Sequence, residues 1–357
     1  MDAGDEVVFE FLGVIRQYRS GRVERLHPLH PVPPSLDAAT GVASRDVTVD
    51  PATGLWVRLY LPDLSACAAG ARRLPVVLYL HGGGLVTGSA ADAPEHAFLN
   101  RLAARAGALA VSVEYRLAPE QPVPACYDDA WAALRWVIAA ASTTDDVAAD
   151  PWVRDHADLD RVSVLGFSAG GNIAHNVTLR AGGGGGDGAA RVSGMALLHP
   201  YFLSSRKTDG EVKNAYVRGK LEETWPFACG GRTTGIDDPR VNPVADGAPS
   251  LRAALGCARV LVCVADDELE ARGKAYYYDG LLASGWTEDD DAELLDSAGQ
   301  PHEFHLTHPD CPQAQHLMDR LVALILGGKQ YKCRTARRGA CSVGRDTVRA
   351  LALDAAE

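Results

Sequence analysis

The sequence has no C-x-x-C pair. Its eight cysteines (Cys67, Cys126, Cys229, Cys257, Cys263, Cys311, Cys333 and Cys341) are scattered along the chain. That spacing argues against a disulfide framework and a thiolate zinc site, and for a reducing, cytosolic setting. No stretch approaches the ~18 consecutive apolar residues of a membrane-spanning helix. The N-terminus, MDAGDEVVFEFLGVIRQYRS, opens acidic and lacks a basic n-region, so no signal peptide is expected. A basic surplus is also missing: 35 Lys and Arg stand against 46 Asp and Glu, a net charge of -11. That balance disfavours nucleic acid and anionic membrane as partners. There is no H-E-x-x-H pattern and no internal repeat. A metal or organic cofactor is therefore not expected.

What is present is an alternation of buried-looking strands and amphipathic helices. PVVLYL (75–80), ALAVSVEY (108–115), RVSVLG (161–166), GMALLHP (194–200) and RVLVCVAD (259–266) are short, rich in Val, Leu and Ile, and do not alternate strictly. Strands covered on both faces read this way. Helical patterns run through 93–107, 127–142, 170–182 and 267–285, so a mostly parallel sheet covered by helices is expected. SRDVTVD (44–50) and LWVRLYLP (55–62) bracket PATG and predict an antiparallel hairpin at one sheet edge. Residues 1–43 read as a helix-like stretch followed by a proline-rich connector. Residues 201–257 form a long polar insertion, and the two segments are expected to cap the carboxyl end of the sheet. GGGGGDG (182–188) reads as a flexible loop. The tail from Lys329 to residue 357 is a basic extension, which sets the main domain at 44–328.

The most informative stretch is RVSVLGFSAGGNIAH (161–175), a G-x-S-x-G with a strand before it and a helix after it. A nucleophile elbow needs that context. The serine of such an elbow takes strained backbone angles, and Gly166 and Gly170 allow the close approach that the turn requires. Ser168 is the candidate nucleophile. A serine hydroxyl needs a base, and the base needs an orienting acid. Asp266 and Asp267 follow a later strand, and His302 follows Gly299 and Pro301 on a loop beyond it. The order Ser, Asp, His is the order this kind of sheet uses. His305 and His308 read as structural or solvent-facing, and His175 as a packed histidine. His81-Gly82-Gly83-Gly84, just past the first parallel strand, carries backbone N–H groups that no side chain shields. Gly83 and Gly84, with the N–H of Ala169, are candidate oxyanion donors. Neither the Walker pattern nor G-x-G-x-x-G occurs in this loop, which argues against phosphate.

These residues resemble the α/β-hydrolases of the hormone-sensitive-lipase type, and among them the plant carboxylesterases. The matching pieces are HGGG (81–84), VEYRLAPEQPVPACYDDA (113–130), GFSAGGNIAH (166–175), DELEARGKAYYYDGLLASGW (267–286) and HEFHL (302–306). FLGVIRQYRSGRVERL also looks like that family's N-terminal cap segment. The resemblance implies an α/β-hydrolase fold and a carboxylesterase acting on a small-molecule ester. It implies Ser168 as nucleophile, His302 as base, Asp267 as its acid, and Gly83, Gly84 and Ala169 as the oxyanion hole. Asp267, Leu269 and Arg272 keep the family's Asp-x-Leu-x-x-Arg spacing, which favours Asp267 over Asp266, although one residue is missing just upstream. The family usually carries Asp where Phe167 stands. Phe167 is expected to support the pocket beside the nucleophile without moving protons. Two rival functions share the scaffold. Gibberellin receptors have lost the catalytic histidine, which this chain keeps, and isoflavanone dehydratases keep the same motifs.

Overall fold

The computed structural model describes residues 6–11, 13–66, 73–142, 150–183, 191–208, 211–288 and 291–327. The basic tail and most of the 182–188 glycine run lie outside these residues. The described chain up to Pro28 forms one compact unit, and the chain from Leu29 onward forms another.

The first unit corrects an expectation. The described residues between 6 and 25 are not helical. β1 (Val7–Phe11), β2 (Ile15–Tyr18) and β3 (Val23–Arg25) make an antiparallel three-stranded sheet. The reason is local. Val7, Val8, Phe9 and Phe11 are β-formers, and Gly13 and Gly21 take φ of 68° and 84° at the two turns. Those angles cost most residues energy and glycine very little.

The second unit is built on an eight-stranded sheet. Its strands are β4 (Ala43–Asp50), β5 (Leu55–Leu61), β6 (Leu74–Leu80), β7 (Leu109–Glu114), β8 (Ala157–Phe167), β9 (Gly194–Leu198), β10 (Val260–Ala265) and β11 (Ala292–Ser297). They lie in the order β11-β10-β9-β8-β6-β7-β5-β4. β4 and β5 form the expected edge hairpin, with Val47 opposite Val57, and β5 runs antiparallel to β7. Every other neighbouring pair is parallel. All residues of β6 and of β10 are buried, which is why these segments show no alternation.

Helices α1 (Ala93–Ala106), α2 (Ala125–Ser142), α3 (Pro151–His156), α4 (Ala169–Gly182), α5 (Ala215–Ala228), α6 (Leu251–Ala254), α7 (Glu270–Ala275), α8 (Phe304–Thr307) and α9 (Pro312–Leu326) accompany the sheet. α1 has Pro94 in its first turn and ends on Gly107 with φ 54°, a common start and stop. α9 ends likewise on Gly327, and its Leu317, Leu321, Leu324 and Ile325 face inward. They join Val77, Leu165, Ala196, Leu198, Leu261 and Cys263 in one core. Inward positions four, seven and eight residues apart are the spacing of one helical face.

The 201–257 insertion holds α5 and α6. Asn214 caps α5 by accepting from the N–H groups of Tyr216 and Val217. Buried Glu211 pairs with Arg218 of α5 at 3.2 Å and with Arg272 of α7 at 2.5 Å. The insertion is thereby tied to the helix that follows Asp267. Ion pairs this deep give register more than net stability, because desolvation offsets most of their attraction.

Candidate active site

In a parallel sheet the carboxyl ends of the strands collect at one edge, and ligands bind there. β6 and β8 are neighbours, with Leu80 opposite Gly166. The segments that follow them, His81–Gly84 and Ser168, therefore emerge side by side. Asp267 follows β10, and His302 follows β11 beside it.

Ser168 has φ 54° and ψ -115°, between the end of β8 and the start of α4. A non-glycine residue at such angles is strained and must be held by its surroundings. Its N–H donates to the Leu198 carbonyl at 2.8 Å, and its own carbonyl accepts from Tyr201 at 2.9 Å. The glycines around it are required by contact. A Cβ on Gly166 would lie 2.0 Å from the Gly170 carbonyl oxygen, and one on Gly170 would lie 2.0 Å from the Leu80 carbonyl oxygen. α4 thus presses directly on the end of β6, where the glycine loop begins.

That loop is pinned peptide by peptide. The His81 carbonyl accepts from the Tyr115 hydroxyl at 2.8 Å. The Gly82 carbonyl accepts from His81 Nδ1 at 2.8 Å and from Tyr115 at 3.2 Å. The Gly83 carbonyl accepts from the N–H groups of Val86 and Thr87, each at 3.0 Å. In a planar trans peptide the N–H points opposite the carbonyl. Fixing the Gly82 and Gly83 carbonyls therefore fixes the directions of the Gly83 and Gly84 N–H groups. Gly83 has φ 110°, and a Cβ there would sit 2.1 Å from the Thr87 carbonyl oxygen, so the turn excludes any side chain.

His302 Nδ1 lies 2.7 Å from Asp267 Oδ2, and Asp267 Oδ1 accepts from the Leu269 N–H at 2.7 Å. Burial favours the neutral form of Asp267. The adjacent His302, with its charge and hydrogen bond, outweighs burial and holds the carboxyl below its usual pKa. Burial also opposes charge on His302, but the Asp267 carboxylate prevails and holds this histidine above its usual pKa. Asp266 goes elsewhere: its side chain is half exposed and pairs with Lys213.

Phe167 is 3% exposed. Its ring centroid lies 5.0 Å from that of His302 and 4.8 Å from that of His305. A Cβ on Gly82 would come within 2.7 Å of Phe167 Cδ1. Phe167 therefore packs between the glycine loop and the histidine rings rather than on an open wall. His305 is buried with neither ring nitrogen paired, and burial pushes it well below the usual histidine pKa. His308 is exposed. His175 is packed, 3.1 Å from the Tyr276 hydroxyl.

Two contributors were not found by sequence reasoning. His199 directly follows β9 with φ 46° and sends Nδ1 to the His302 carbonyl at 2.6 Å. Asn172 on α4 donates to the Tyr201 carbonyl at 3.2 Å and the Arg240 carbonyl at 2.7 Å, and accepts from the Tyr127 hydroxyl at 2.7 Å. It binds the insertion to the elbow helix. Asn172 stands inside the GFSAGGNIAH stretch and His199 at the end of GMALLHP, and the available signal for their roles was their place just inside a helix and just past a strand. Ligand atoms of His199, Asp267 and His302 come within 4.8 Å of one another, but those side chains already bind one another or, for His199, the His302 backbone.

A largely parallel sheet with a strained serine elbow after one strand, a pinned glycine loop after its neighbour, and an Asp–His pair at two further strand ends defines an α/β hydrolase. The α/β-hydrolase fold profile matches residues 77–306. Tuliposide A-converting enzyme 1 of Tulipa gesneriana is 40% identical over 90% of this chain and 79% of its own. Probable carboxylesterase 2 of Arabidopsis thaliana is 37% identical over 90% and 96%. Among solved structures, a thermophilic carboxylesterase cloned from a metagenomic library superimposes with a TM-score of 0.61. It is 30% identical and covers 81% of this chain and 90% of its own. The chain belongs to the α/β-hydrolase fold family and is a carboxylesterase-like hydrolase.

One expectation is overturned by these relatives. The tulip enzyme is named chloroplastic, and another tulip relative amyloplastic, against the cytosolic setting read from the cysteines. The physical reason is simple. Cys126, Cys229, Cys257, Cys263 and Cys311 are free thiols, and free thiols report a reducing compartment without saying which one.

Proposed function

We propose that the protein hydrolyses small-molecule carboxylic esters through an acyl-enzyme on Ser168. Ser168 Oγ attacks the acyl carbon while His302 Nε2, the ring nitrogen not engaged by Asp267, takes its proton. Asp267 fixes the tautomer and supports the imidazolium that forms. The developing oxyanion is met by the N–H groups of Gly83, Gly84 and Ala169, the last at the first turn of α4. His302 returns the proton to the leaving alcohol. Water then repeats the sequence on the acyl-enzyme and frees the acid. The observation that carries this reading is the His302–Asp267 pair at the same sheet edge as the elbow and the pinned glycine loop. The insertion 201–257 is the region we assign to substrate selection as a cap.

The reading predicts turnover of nitrophenyl acetate and nitrophenyl butyrate by purified protein in the presence of a chelator. Release of nitrophenol checks this directly. An absence of ester turnover combined with tight binding of a hormone would favour the receptor function. Dehydration of a 2-hydroxyisoflavanone without ester cleavage would favour the dehydratase.

A further inference from the structure

His302 follows β11 at the edge of the sheet, Ser168 follows β8, and β10 and β9 lie between those strands. The loop that carries His302 must therefore cross the ends of both strands to bring its ring to the elbow. Each of those strand ends supplies one bond to His302. Asp267, just past β10, holds the ring at Nδ1, 2.7 Å away. His199, just past β9, sends its own Nδ1 to the His302 backbone carbonyl at 2.6 Å. The mechanism above uses the first bond and not the second. His199 is 1% exposed and is itself firmly held. Its N–H donates to the Cys263 carbonyl of β10 at 2.8 Å. Its ring stands edge-to-face with those of Phe167 and His305, with centroids 5.9 and 5.4 Å away, and lies 5.5 Å from that of Phe304. Its φ of 46° is left-handed, which strains a residue with a side chain and must be enforced by its surroundings. Among the described residues, the other non-glycine residues with such angles are Leu85, directly after the glycine loop, and Ser168 itself.

We infer that His199 is a positioning residue for the proposed general base: its Nδ1–H holds the His302 backbone carbonyl, so that the loop from β11 presents Nδ1 of His302 to Asp267 and Nε2 to Ser168. This inference rests on the role of His302 as base proposed above. A carbonyl oxygen only accepts, so the proton of His199 lies on Nδ1. Its Nε2 is buried without a partner among the described residues. Burial, reinforced by the neighbouring His302, lowers this histidine to about 4. Near pH 7 His199 is therefore neutral. It donates one proton, places no charge beside His302 and does not compete as a base. The two bonds do different things. Asp267 alone would leave the ring free to swing with its loop, whereas a bond to the backbone sets where the loop itself stands. A misplacement of about 1 Å at a reacting group costs on the order of 100-fold in rate.

The test is the pH profile of kcat and kcat/KM on nitrophenyl butyrate for the full chain, His199→Phe, His199→Asn and His302→Ala. Phenylalanine keeps a ring and loses the donor. Asparagine loses the ring, but its amide N–H can stand where Nδ1–H stood, and it tolerates left-handed angles. The expected result for His199→Phe is kcat lower by roughly 10- to 100-fold with KM within about twofold. Its acid limb should also move to lower pH. The ionisable groups facing His302 are Asp267, Glu303, His199 and His305. Burial keeps the other two histidines neutral near pH 7. Burial also opposes charge on His302, and chiefly Asp267 outweighs it and holds this histidine above its usual pKa. Loosening the Asp267 bond lets His302 fall back toward that usual value, so the base is freed at lower pH. His199→Asn should keep kcat and the acid limb closer to the natural chain than to the phenylalanine variant. If His199→Phe does not fold, His199→Ala removes the same donor without added bulk and should show the same shifted limb. Undiminished kcat and an unchanged acid limb without the donor, or equal losses in the asparagine and phenylalanine variants, would overturn the role of the His199 N–H. Undiminished turnover by His302→Ala would instead remove the reading on which it rests.

Discussion

Ser168→Ala should lower ester turnover by at least ~10⁴-fold, with the fold and thermal melting temperature little changed. The magnitude follows from what is lost. Without Oγ there is no acyl-enzyme, and His302 can only assist water at the carbonyl. The remaining rate enhancement then comes from binding and the oxyanion donors alone. Structurally the change is mild. The elbow is held by the Ser168 N–H on Leu198 and by the Ser168 carbonyl accepting from Tyr201, and alanine keeps both bonds. A large loss of kcat without a matching loss of stability separates a nucleophile from a serine that merely fills a turn. Steady-state kinetics and a thermal melt on the same preparation make the comparison.

Asp267→Asn should lower kcat by roughly 10⁴-fold, whereas Asp266→Asn should change it by no more than about threefold. The two carboxylates are adjacent in sequence and differ sharply in surroundings. Asp267 is mostly buried, bonded to His302 Nδ1 and to the Leu269 N–H. Asparagine there can offer its amide N–H to His302, which selects the wrong tautomer and leaves Nε2 protonated and unable to act as a base. Asp266 is half exposed, and its partner Lys213 also binds Glu270. Surface pairs of that kind are worth about 1 kcal/mol or less. The paired measurement therefore assigns the acid and tests the tautomer argument at once. Comparable losses in both variants would point to disruption of the loop instead.

The parts of this molecule that were legible in its sequence share a property: each is a local pattern with one physical cause. The strand–turn–helix around Ser168 is written in the run of apolar residues before Gly166 and in the glycines that contact demands. The buried strands β6 and β10 are written in their unbroken apolar runs. The parallel sheet follows from strand–helix alternation, and the chain order Ser168, Asp267, His302 is the order such a sheet uses. Other features lack such a pattern. β11 was missed because AELLDS sits at a sheet edge and carries Glu293 and Asp296, so it shows no apolar run. The N-terminal sheet was read as helix because charged residues between its apolar ones mimic helical spacing. The glycines at its turns were the overlooked signal. Tyr115, from the end of β7, reaches the His81 and Gly82 carbonyls, and Tyr79 of β6 bonds buried Glu95 of α1. Contacts among three separate elements leave no spacing to find. Phe167 stands in the elbow motif, yet its role depended on which rings surround it, and those come from His199, His302 and His305.

The central claim is that Ser168 becomes acylated. The most direct measurement is covalent trapping with a fluorophosphonate, followed by intact-mass and peptide mapping. One phosphonyl group per chain, carried on the peptide containing Ser168 and formed in step with loss of ester turnover, is the predicted result. Full loss of turnover with the adduct on another residue, or undiminished turnover by fully modified Ser168, would contradict the account.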